Sequence, residues 1–484
     1  MKKVSIRCVL LLITCLCIAG TILLWLSSNK FVDQYSLAGA VCENHYFREC
    51  TQSGNLWLKC VEELNSLVRR QESASREIIS TWPPGSITHL IDNRLPVFNL
   101  ALKIPFAKNA ENPLDNRYYR QYLELISNKS VERSRGSWLA ASQKRLASAV
   151  LSSSDYFLYP QTLNFAEVIS DAEKGIPIKT LPINNPELFV IRSPKRTCNP
   201  CQKEIVPDLV VVIKSCTYCT EKRSRVRQTF MQKHLWTGIN VQFVFVVGIP
   251  YPGESNIFVI DGYKHRLKHF WWKSSKKHDN EKWTFMKRLV READQYEDLL
   301  VGFFHDTYFN LTTKLIFTVR WLSAFCSEQI PLFLFVDDDY DLVPRNVVKF
   351  YRSHSKEYLR SLTGGQVYSP SIVYRPQSRE EINGVWEVTV NEFPWKLYPE
   401  FYFGLTYLLG SSIVKRVAIA SAFTKPMRID DAFLGIVLNK LNIKLRHLDV
   451  IQISAHEREV LLGAINVPSG TSKNIINWKT GFLK

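Results

Sequence analysis

The sequence predicts an α/β domain with a largely parallel central sheet, placed behind an N-terminal membrane anchor and a stem. Segments of helical periodicity, such as "EKWTFMKRLVREADQY", separate short runs rich in Val and Phe that are typical of buried strands. A long uncharged stretch near the N-terminus predicts the anchor. The strand-like runs are "DLVVVIK" (208–214), "VQFVFVVG" (241–248), "DLLVGFF" (298–304) and "PLFLFVD" (331–337).

The N-terminal segment is long enough to span a membrane once. A basic heptapeptide, residues 1–7, precedes the uncharged run at residues 8–26. At about 1.5 Å per residue, a helix of this length nearly matches the roughly 30 Å hydrocarbon core. The basic flank predicts a cytosolic tail and a lumenal body. A cleaved signal peptide is the alternative, but it usually ends in small residues, whereas this run ends in Trp25 and Leu26.

Composition divides the body into two parts. Residues 27–205 carry amphipathic stretches interrupted by turn-forming segments, and we interpret them as a lumenal stem. Residues 206–484 carry the alternation of strands and helices and form the main domain. The formal net charge of +17 fits a nucleic-acid partner, and it fits equally a basic surface that faces anionic small molecules or membranes. However, no zinc-finger, RNP-type or basic-zipper pattern organises the basic residues, so we expect no nucleic-acid partner.

Cysteines and glycosylation sequons are consistent with an oxidising lumen. Asn128 and Asn310 each begin an Asn-x-Ser/Thr sequon. An even number of cysteines follows the anchor, which favours disulfides. Two Cys-x-x-Cys pairs, at 198–201 and 216–219, also resemble a zinc ribbon, so zinc is the alternative and the spacing leaves the connectivity open. The eight cysteines are Cys42, Cys50, Cys60, Cys198, Cys201, Cys216, Cys219 and Cys326.

Three adjacent aspartates end the last of the four strands, at the sheet edge where α/β proteins bind ligands. In an extended chain Asp337 and Asp339 point the same way and Asp338 points the opposite way. Two convergent carboxylates suit Mg²⁺ or Mn²⁺, which usually bind them together with substrate phosphates. An EF-hand is excluded, because Leu342 and Val348 stand where its glycine and glutamate are required. A solvated acidic turn remains the alternative.

A second acidic pair, Asp430 and Asp431, precedes a segment with helical periodicity. The pair would lie at the N-terminus of that helix, where the helix dipole favours an ionised carboxylate. One of them could act as a base, or the pair could simply cap the helix.

Five segments in this order resemble glycosyltransferase family 31, the inverting β-1,3-galactosyl- and N-acetylglucosaminyltransferases. The resemblance implies a GT-A-like nucleotide-sugar transferase fold over about half of the chain. The five segments are "RSRVRQTF", "FFHDTYFNLTTK", "FVDDDYDLVPRNV", "VWEVTVNEFPWKLYPEFYFGLTYLLG" and "RIDDAFLGIVLNKLNI".

The resemblance also implies roles for individual residues. Asp337 and Asp339 would hold Mn²⁺ or Mg²⁺ on the diphosphate of a UDP-sugar, and Asp431 would be the catalytic base. Donor binding would involve Arg223, Arg227, Asp337 and Asp338, although the two arginines could equally support the fold. The segment with Trp395, Tyr398, Tyr402 and Gly404 could form a sugar-stacking wall or belong to the core.

The implied protein is a single-pass type II enzyme of the Golgi membrane with a lumenal catalytic domain. It would move galactose or N-acetylglucosamine from UDP to a hydroxyl of a glycan acceptor on protein or lipid, in β-1,3 linkage. A catalytically inactive glycan-binding protein or chaperone of the secretory pathway, built on the same fold, is the alternative.

Overall fold

The computed structural model describes residues 98–102, 104–111, 163–198, 206–251, 257–260, 263–266, 279–326, 329–376, 381–382, 385–390, 392–393 and 395–479. The predicted anchor, the sequon at Asn128 and four of the eight cysteines lie outside these residues. Within the described ranges, no helix combines the length and the apolar character that crossing a bilayer requires.

Fifteen strands and ten helices make up the described part of the chain. The strands are β1 (Phe98–Asn99), β2 (Phe106–Glu111), β3 (Ile178–Thr180), β4 (Phe189–Arg192), β5 (Leu209–Lys214), β6 (Val241–Ile249), β7 (Ile257–Ile260), β8 (Tyr263–Arg266), β9 (Leu299–His305), β10 (Leu332–Asp337), β11 (Tyr340–Leu342), β12 (Thr363–Tyr368), β13 (Glu381–Ile382), β14 (Phe401–Gly410) and β15 (Asn466–Pro468). The helices are α1 (Phe165–Lys174), α2 (Thr220–Gln228), α3 (Asp279–Tyr296), α4 (Leu311–Phe325), α5 (Pro344–Arg352), α6 (Lys356–Arg360), α7 (Ser411–Ala420), α8 (Asp430–Lys440), α9 (Glu457–Leu461) and α10 (Ser469–Ile475).

An eight-stranded sheet in the order β1-β4-β9-β6-β5-β10-β14-β12 forms the centre of the molecule. Strands β9, β6, β5 and β10 run parallel to one another, and they are the four strands that the sequence predicts. The flanking strands join antiparallel: β4 to β9, and β14 to β10. The prediction of a mixed α/β fold with a mostly parallel central sheet is confirmed.

Strand β5 shows why its sequence is continuously apolar. Its side chains alternate between the two faces of the sheet, and each face is covered. Val210 and Val212 belong to a core beneath α4, α7 and α8, whereas Val211 and Ile213 belong to a core beneath α2, α3 and α5. All four have no exposed surface. Burial on both faces fixes the register that brings the ends of β5 and β10 to the same edge.

The sheet extends into the region that the sequence assigns to the stem. Strand β4 pairs with β9, and β1 pairs with β4. The buried Arg320 of α4 donates to the carbonyl groups of Leu100, Asn184 and Pro186, which attaches this N-terminal region to the domain. Residues on both sides of position 206 therefore contribute strands to the same sheet.

Disulfides, rather than zinc, account for the described cysteines. Cys198 is bonded to Cys326 across a sequence separation of 128 residues, and Cys216 is bonded to Cys219. The zinc alternative is wrong, because three of the four proposed ligands are in disulfides. The expectation of oxidised cysteines is confirmed for these four residues.

Lys440 at the end of α8 is expected to limit the stability of the domain. Its residue surface is 8% exposed, and its amine has no hydrogen-bond partner among the described residues. The Nζ atom of Lys440 lies 5.7 Å from the centre of the Phe165 ring. Burial lowers the pKa of Lys440 to about 7, so between that pH and its ordinary value of 10.5 the folded protein holds fewer protons than the unfolded chain.

The Lys440→Met variant is therefore expected to be more stable than the wild type, most of all below pH 7. The gain should shrink as pH rises through this window and vanish above about 10.5. Each pKa unit corresponds to about 1.4 kcal/mol, which sets an upper limit of about 5 kcal/mol. Urea unfolding at pH 6, 8 and 10 measures the difference in unfolding free energy between the variant and the wild type. An equal difference at the three pH values would contradict a buried amine.

Candidate active site

The aspartate run lies at the carboxyl edge of the parallel strands. Asp337 ends β10, and its side chain is 31% exposed, while that of Asp339 is 56% exposed. Asp338 between them is buried. The alternation predicted from the sequence is therefore present: two carboxylates face outwards and one faces the protein.

Asp338 supports a lysine from within the protein. Its carboxylate accepts hydrogen bonds from the Ser215 hydroxyl at 2.7 Å and from Lys222 Nζ at 2.9 Å. Lys222 Nζ also lies 3.7 Å from Asp339. Asp338 therefore holds the ammonium group of Lys222 in position, while its own carboxylate is buried.

Lys214 connects the aspartate run with the second acidic pair. It ends β5, directly opposite Asp337 in the parallel register, and its Nζ lies 2.9 Å from Asp337 Oδ1. The same Nζ lies 4.0 Å from Asp430 and donates to the carbonyl of Gly404. Burial alone would lower the pKa of Lys214, but Asp337 and Asp430 together raise it. Lys214 therefore remains a cation at the centre of the site.

Asp430 and Asp431 form the first turn of α8, as predicted, and Ile429 precedes them as the N-cap residue. Asp431 Oδ1 accepts the N–H of Ala432 at 2.7 Å, and the carboxylate also accepts the backbone N–H of Gly404. Burial, and then the charge of Asp430, raise the pKa of Asp431 to about 7. A carboxylate with this pKa can accept a proton near neutral pH.

Gly404 of β14 lies beside this carboxylate. A methyl group at Gly404 would lie 3.4 Å from the Cβ and Oδ2 atoms of Asp431. Strand β14 is irregular at this point, since Val367 pairs with Tyr402 but Gly365 pairs with Tyr407. The backbone of Gly404 contacts both Asp431 and Lys214.

Asp337 and Asp339 fit the predicted divalent cation. They supply carboxylate oxygens on side chains that are 31% and 56% exposed. Among the described residues, no group of three His, Cys, Asp or Glu side chains forms a complete metal cage. A cation at these two aspartates would therefore take its other ligands from a diphosphate and water, which is the arrangement that Mg²⁺ and Mn²⁺ favour.

Arg223 and Arg227 are engaged inside the protein. Arg223 has no exposed surface and binds both carboxylate oxygens of Glu292, at 2.8 and 2.7 Å. Arg227 binds Glu292 at 2.8 Å and Asp298 through two further bonds. Of the two roles left open by the sequence, these contacts support the structural one.

The predicted stacking wall divides between core and site. Tyr398 and Tyr402 are buried, at 8% and 1% exposure, and Trp395 packs against the same core. Gly404 lies beside Asp431. Another aromatic residue, Trp386, is exposed, and its ring lies 5.6 Å from that of Tyr308. Tyr308 is close enough to Asp430 and Asp431 for their charges, after burial, to raise its pKa.

The sequon at Asn310 lies at the start of α4. The Asn310 side chain donates to the carbonyl of His305 at 2.9 Å, and Thr312 is buried and donates to the carbonyl of Met427. Glycosylation of Asn310 stays a prediction.

Sequence reasoning missed Lys214, Lys222 and the position of Trp386. A signal for Lys214 was present, because the run "DLVVVIK" ends in a charge just as "PLFLFVD" does. Aligning the ends of these two parallel strands would have paired Lys214 with Asp337.

Comparisons with known proteins agree with this geometry. Residues 276–449 match the family described as Galactosyltransferase. The chain is 26% identical over 245 residues to beta-1,3-galactosyltransferase brn of Drosophila melanogaster, covering 50% of this chain and 62% of that protein. It is 24% identical to UDP-GalNAc:beta-1,3-N-acetylgalactosaminyltransferase 1 of Sus scrofa, covering 51% and 68%. It is 23% identical to human beta-1,3-galactosyltransferase 1, covering 55% and 69%.

The matched region contains the aspartate run and the acidic pair, and its fold is the expected α/β type. The family match and the curated relatives support the resemblance to glycosyltransferase family 31. The match to the Drosophila protein spans less than two thirds of that relative's length.

Proposed function

We propose that this protein is an inverting glycosyltransferase that moves galactose, or N-acetylglucosamine, from UDP to a glycan hydroxyl in β-1,3 linkage. The observation that carries the proposal is the position of Lys214. Its Nζ lies 2.9 Å from Asp337 and 4.0 Å from Asp430, so the donor-side aspartates and the acidic pair meet at one edge of the sheet.

Asp431 is the proposed base. As the acceptor oxygen attacks the anomeric carbon, its proton passes to the Asp431 carboxylate and the bond from that carbon to the UDP oxygen breaks. Attack on the face opposite UDP inverts the configuration. The hydrogen bonds from Ala432 and Gly404 hold the carboxylate in place. Its raised pKa makes it a stronger proton acceptor than an ordinary aspartate.

Asp337 and Asp339 are the proposed ligands of Mn²⁺ or Mg²⁺, which would stabilise the negative charge on the departing diphosphate. Lys222 is held beside them by Asp338 and is one third exposed, so its ammonium group can contact the same phosphates. Lys214 keeps Asp337 oriented and balances the charge of the carboxylates around it.

The remaining parts of the proposal concern the chain as a whole. Residues 1–7 would be cytosolic, 8–26 would anchor the protein in the Golgi membrane, and the stem and catalytic domain would be lumenal. The acceptor would be a glycan on protein or lipid. An inactive glycan-binding protein is the competing function, and the retained Asp337, Asp339 and Asp431 argue against it.

The variants Asp337→Asn and Asp339→Asn are expected to weaken Mn²⁺-dependent UDP binding at least about tenfold each, a loss of about 1.4 kcal/mol. The reason is the loss of anionic ligands without a change in side-chain shape. Calorimetry of UDP with and without Mn²⁺ measures this. Asp449→Asn is the control, because Asp449 is 98% exposed and its carboxylate lies 3.4 Å from His447.

The same proteins, tested for UDP release from a panel of UDP-sugars with acceptor, identify the donor. Normal Mn²⁺-dependent binding in both variants would show that the aspartate run is a solvated turn. UDP binding without release from any donor would favour the inactive alternative.

A further inference from the structure

A two-stranded ribbon beside the site exposes large apolar side chains. Ile372 and Leu397 face each other across an antiparallel bridge and are 47% and 53% exposed. Tyr374, two residues from Ile372 on the same face, is 53% exposed. A run of large apolar side chains on one exposed face marks a binding surface more often than scattered single residues do.

The ribbon is firmly attached to the domain. Its inner face presents Val373 and Tyr398, which are buried in the core. Its backbone is paired through Val373 N to Lys396 O at 2.9 Å and through Tyr398 N to Ser371 O at 2.8 Å. The exposed side chains are thus displayed by a well-bonded segment, and their exposure is a property of the fold.

Aromatic rings connect this ribbon to the proposed base. The Tyr374 hydroxyl lies 3.4 Å from that of Tyr368, whose ring lies 5.0 Å from the ring of Phe403. Phe403 precedes Gly404, whose backbone N–H binds Asp431. This series of rings therefore leads from the ribbon to the residue that precedes Gly404 in β14.

A second connection fixes the ribbon's position relative to the base. Arg428, three residues before Asp431, donates to the carbonyl of Val385 at 3.1 Å and forms a 2.9 Å ion pair with Glu392. Both partners belong to the segment that leads into the ribbon. A group bound on the ribbon is thus held in a defined relation to the N-terminus of α8.

We propose that Tyr368, Ile372, Tyr374, Leu397 and Phe403 form an acceptor platform, which binds an apolar aglycone carried by the glycan acceptor. This inference rests on the proposed transferase function. The aromatic rings suit the faces of the sugar units next to the reacting hydroxyl. The aliphatic pair suits a hydrocarbon chain beyond the reducing end.

The size of the platform favours a ligand over a protein partner. A stable protein interface usually involves about 20–30 residues on each side. The platform has five side chains, which matches the size of one extended acceptor molecule.

The test compares methyl and octyl β-glycosides of galactose and of N-acetylglucosamine as acceptors, each with UDP-galactose and UDP-N-acetylglucosamine. For the sugar that is used, kcat/KM for the octyl glycoside is expected to exceed that for the methyl glycoside by about tenfold, which corresponds to roughly two buried methylene groups. In the double variant Ile372→Ser, Leu397→Ser this ratio falls towards one. Both positions are about half exposed, so the fold should tolerate serine.

Leu462→Ser is the matched control, since Leu462 is an apolar residue at 77% exposure outside the site, and its ratio should equal that of the wild type. Transfer with a ratio that the double variant leaves unchanged overturns the platform and leaves the transferase proposal standing. If the octyl-to-methyl ratio falls equally in Leu462→Ser, the effect comes from exposed apolar residues in general, and this result also overturns the platform. Absence of transfer by the wild type to every acceptor contradicts both proposals.

Discussion

Replacing Asp431 with asparagine is expected to lower kcat by about 10²–10⁴-fold while UDP still binds with Mn²⁺. Asparagine keeps the shape of the side chain but cannot take the acceptor proton. The amide oxygen can still accept the N–H group of Ala432, so the first turn of α8 should persist. Steady-state rates together with UDP calorimetry separate the loss of turnover from any loss of binding.

The pH dependence of kcat/KM tests the role of Asp431 independently. Burial and the charge of Asp430 raise the pKa of Asp431 to about 7, and only the ionised form can act as a base. We therefore expect kcat/KM to rise with pH through about 7 and then level off. Asp430→Asn removes the neighbouring negative charge, so the acidic limb should move to lower pH.

Two outcomes would contradict this assignment. Wild-type turnover in Asp431→Asn would make Asp431 only a residue of the first helical turn, with the base elsewhere. An acidic limb that stays in place in Asp430→Asn would show that Asp431 is not the group that titrates.

The largest effect on stability is expected from Arg223→Met. Arg223 has no exposed surface, and its two bonds to Glu292 are part of the chain Arg223–Glu292–Arg227–Asp298. Removing one partner leaves a buried carboxylate with only Arg227 to balance it. Breaking a buried ion pair in this way costs about 3–5 kcal/mol. Chemical unfolding of the variant measures the loss.

Two further variants identify the cause. The double variant Arg223→Met, Glu292→Met removes the uncompensated charge as well, so it should recover part of the loss. Arg196→Met breaks the exposed contact with Glu297 and should cost less than about 1 kcal/mol. Unchanged stability of Arg223→Met with weaker UDP binding would instead support the nucleotide-binding role that the sequence left open.

The four parallel strands were predictable because each is buried on both faces and therefore continuously apolar. The first turn of α8 and the alternation of the aspartates were predictable because local geometry decides them. Contacts between segments that are distant in sequence were not predictable. Strand β4, the pairing of Cys198 with Cys326, and the burial of Arg223 against Glu292 depend on contacts across 69 to 128 positions. No local sequence pattern predicts such contacts.

In the candidate site, too, local features were predictable from the sequence and contacts between distant segments were not. The residue types at Asp337, Asp339 and Asp431 indicate their chemistry, and the structure brings the two segments that carry them together. Lys214 joins those segments through the register of β5 and β10, and Trp386 reaches Tyr308 from a separate segment. Both depend on tertiary packing, which composition and spacing do not specify.

The measurement that tests the central proposal most directly is the NMR structure of the product formed from a UDP-sugar and an acceptor glycoside. An inverting enzyme with Asp431 as base should give one equivalent of UDP per sugar transferred and a single new linkage, β in configuration and attached to the 3-hydroxyl. Its formation should stop in Asp431→Asn. An α-linked product, or UDP released to water without a new glycosidic bond, would contradict the proposal.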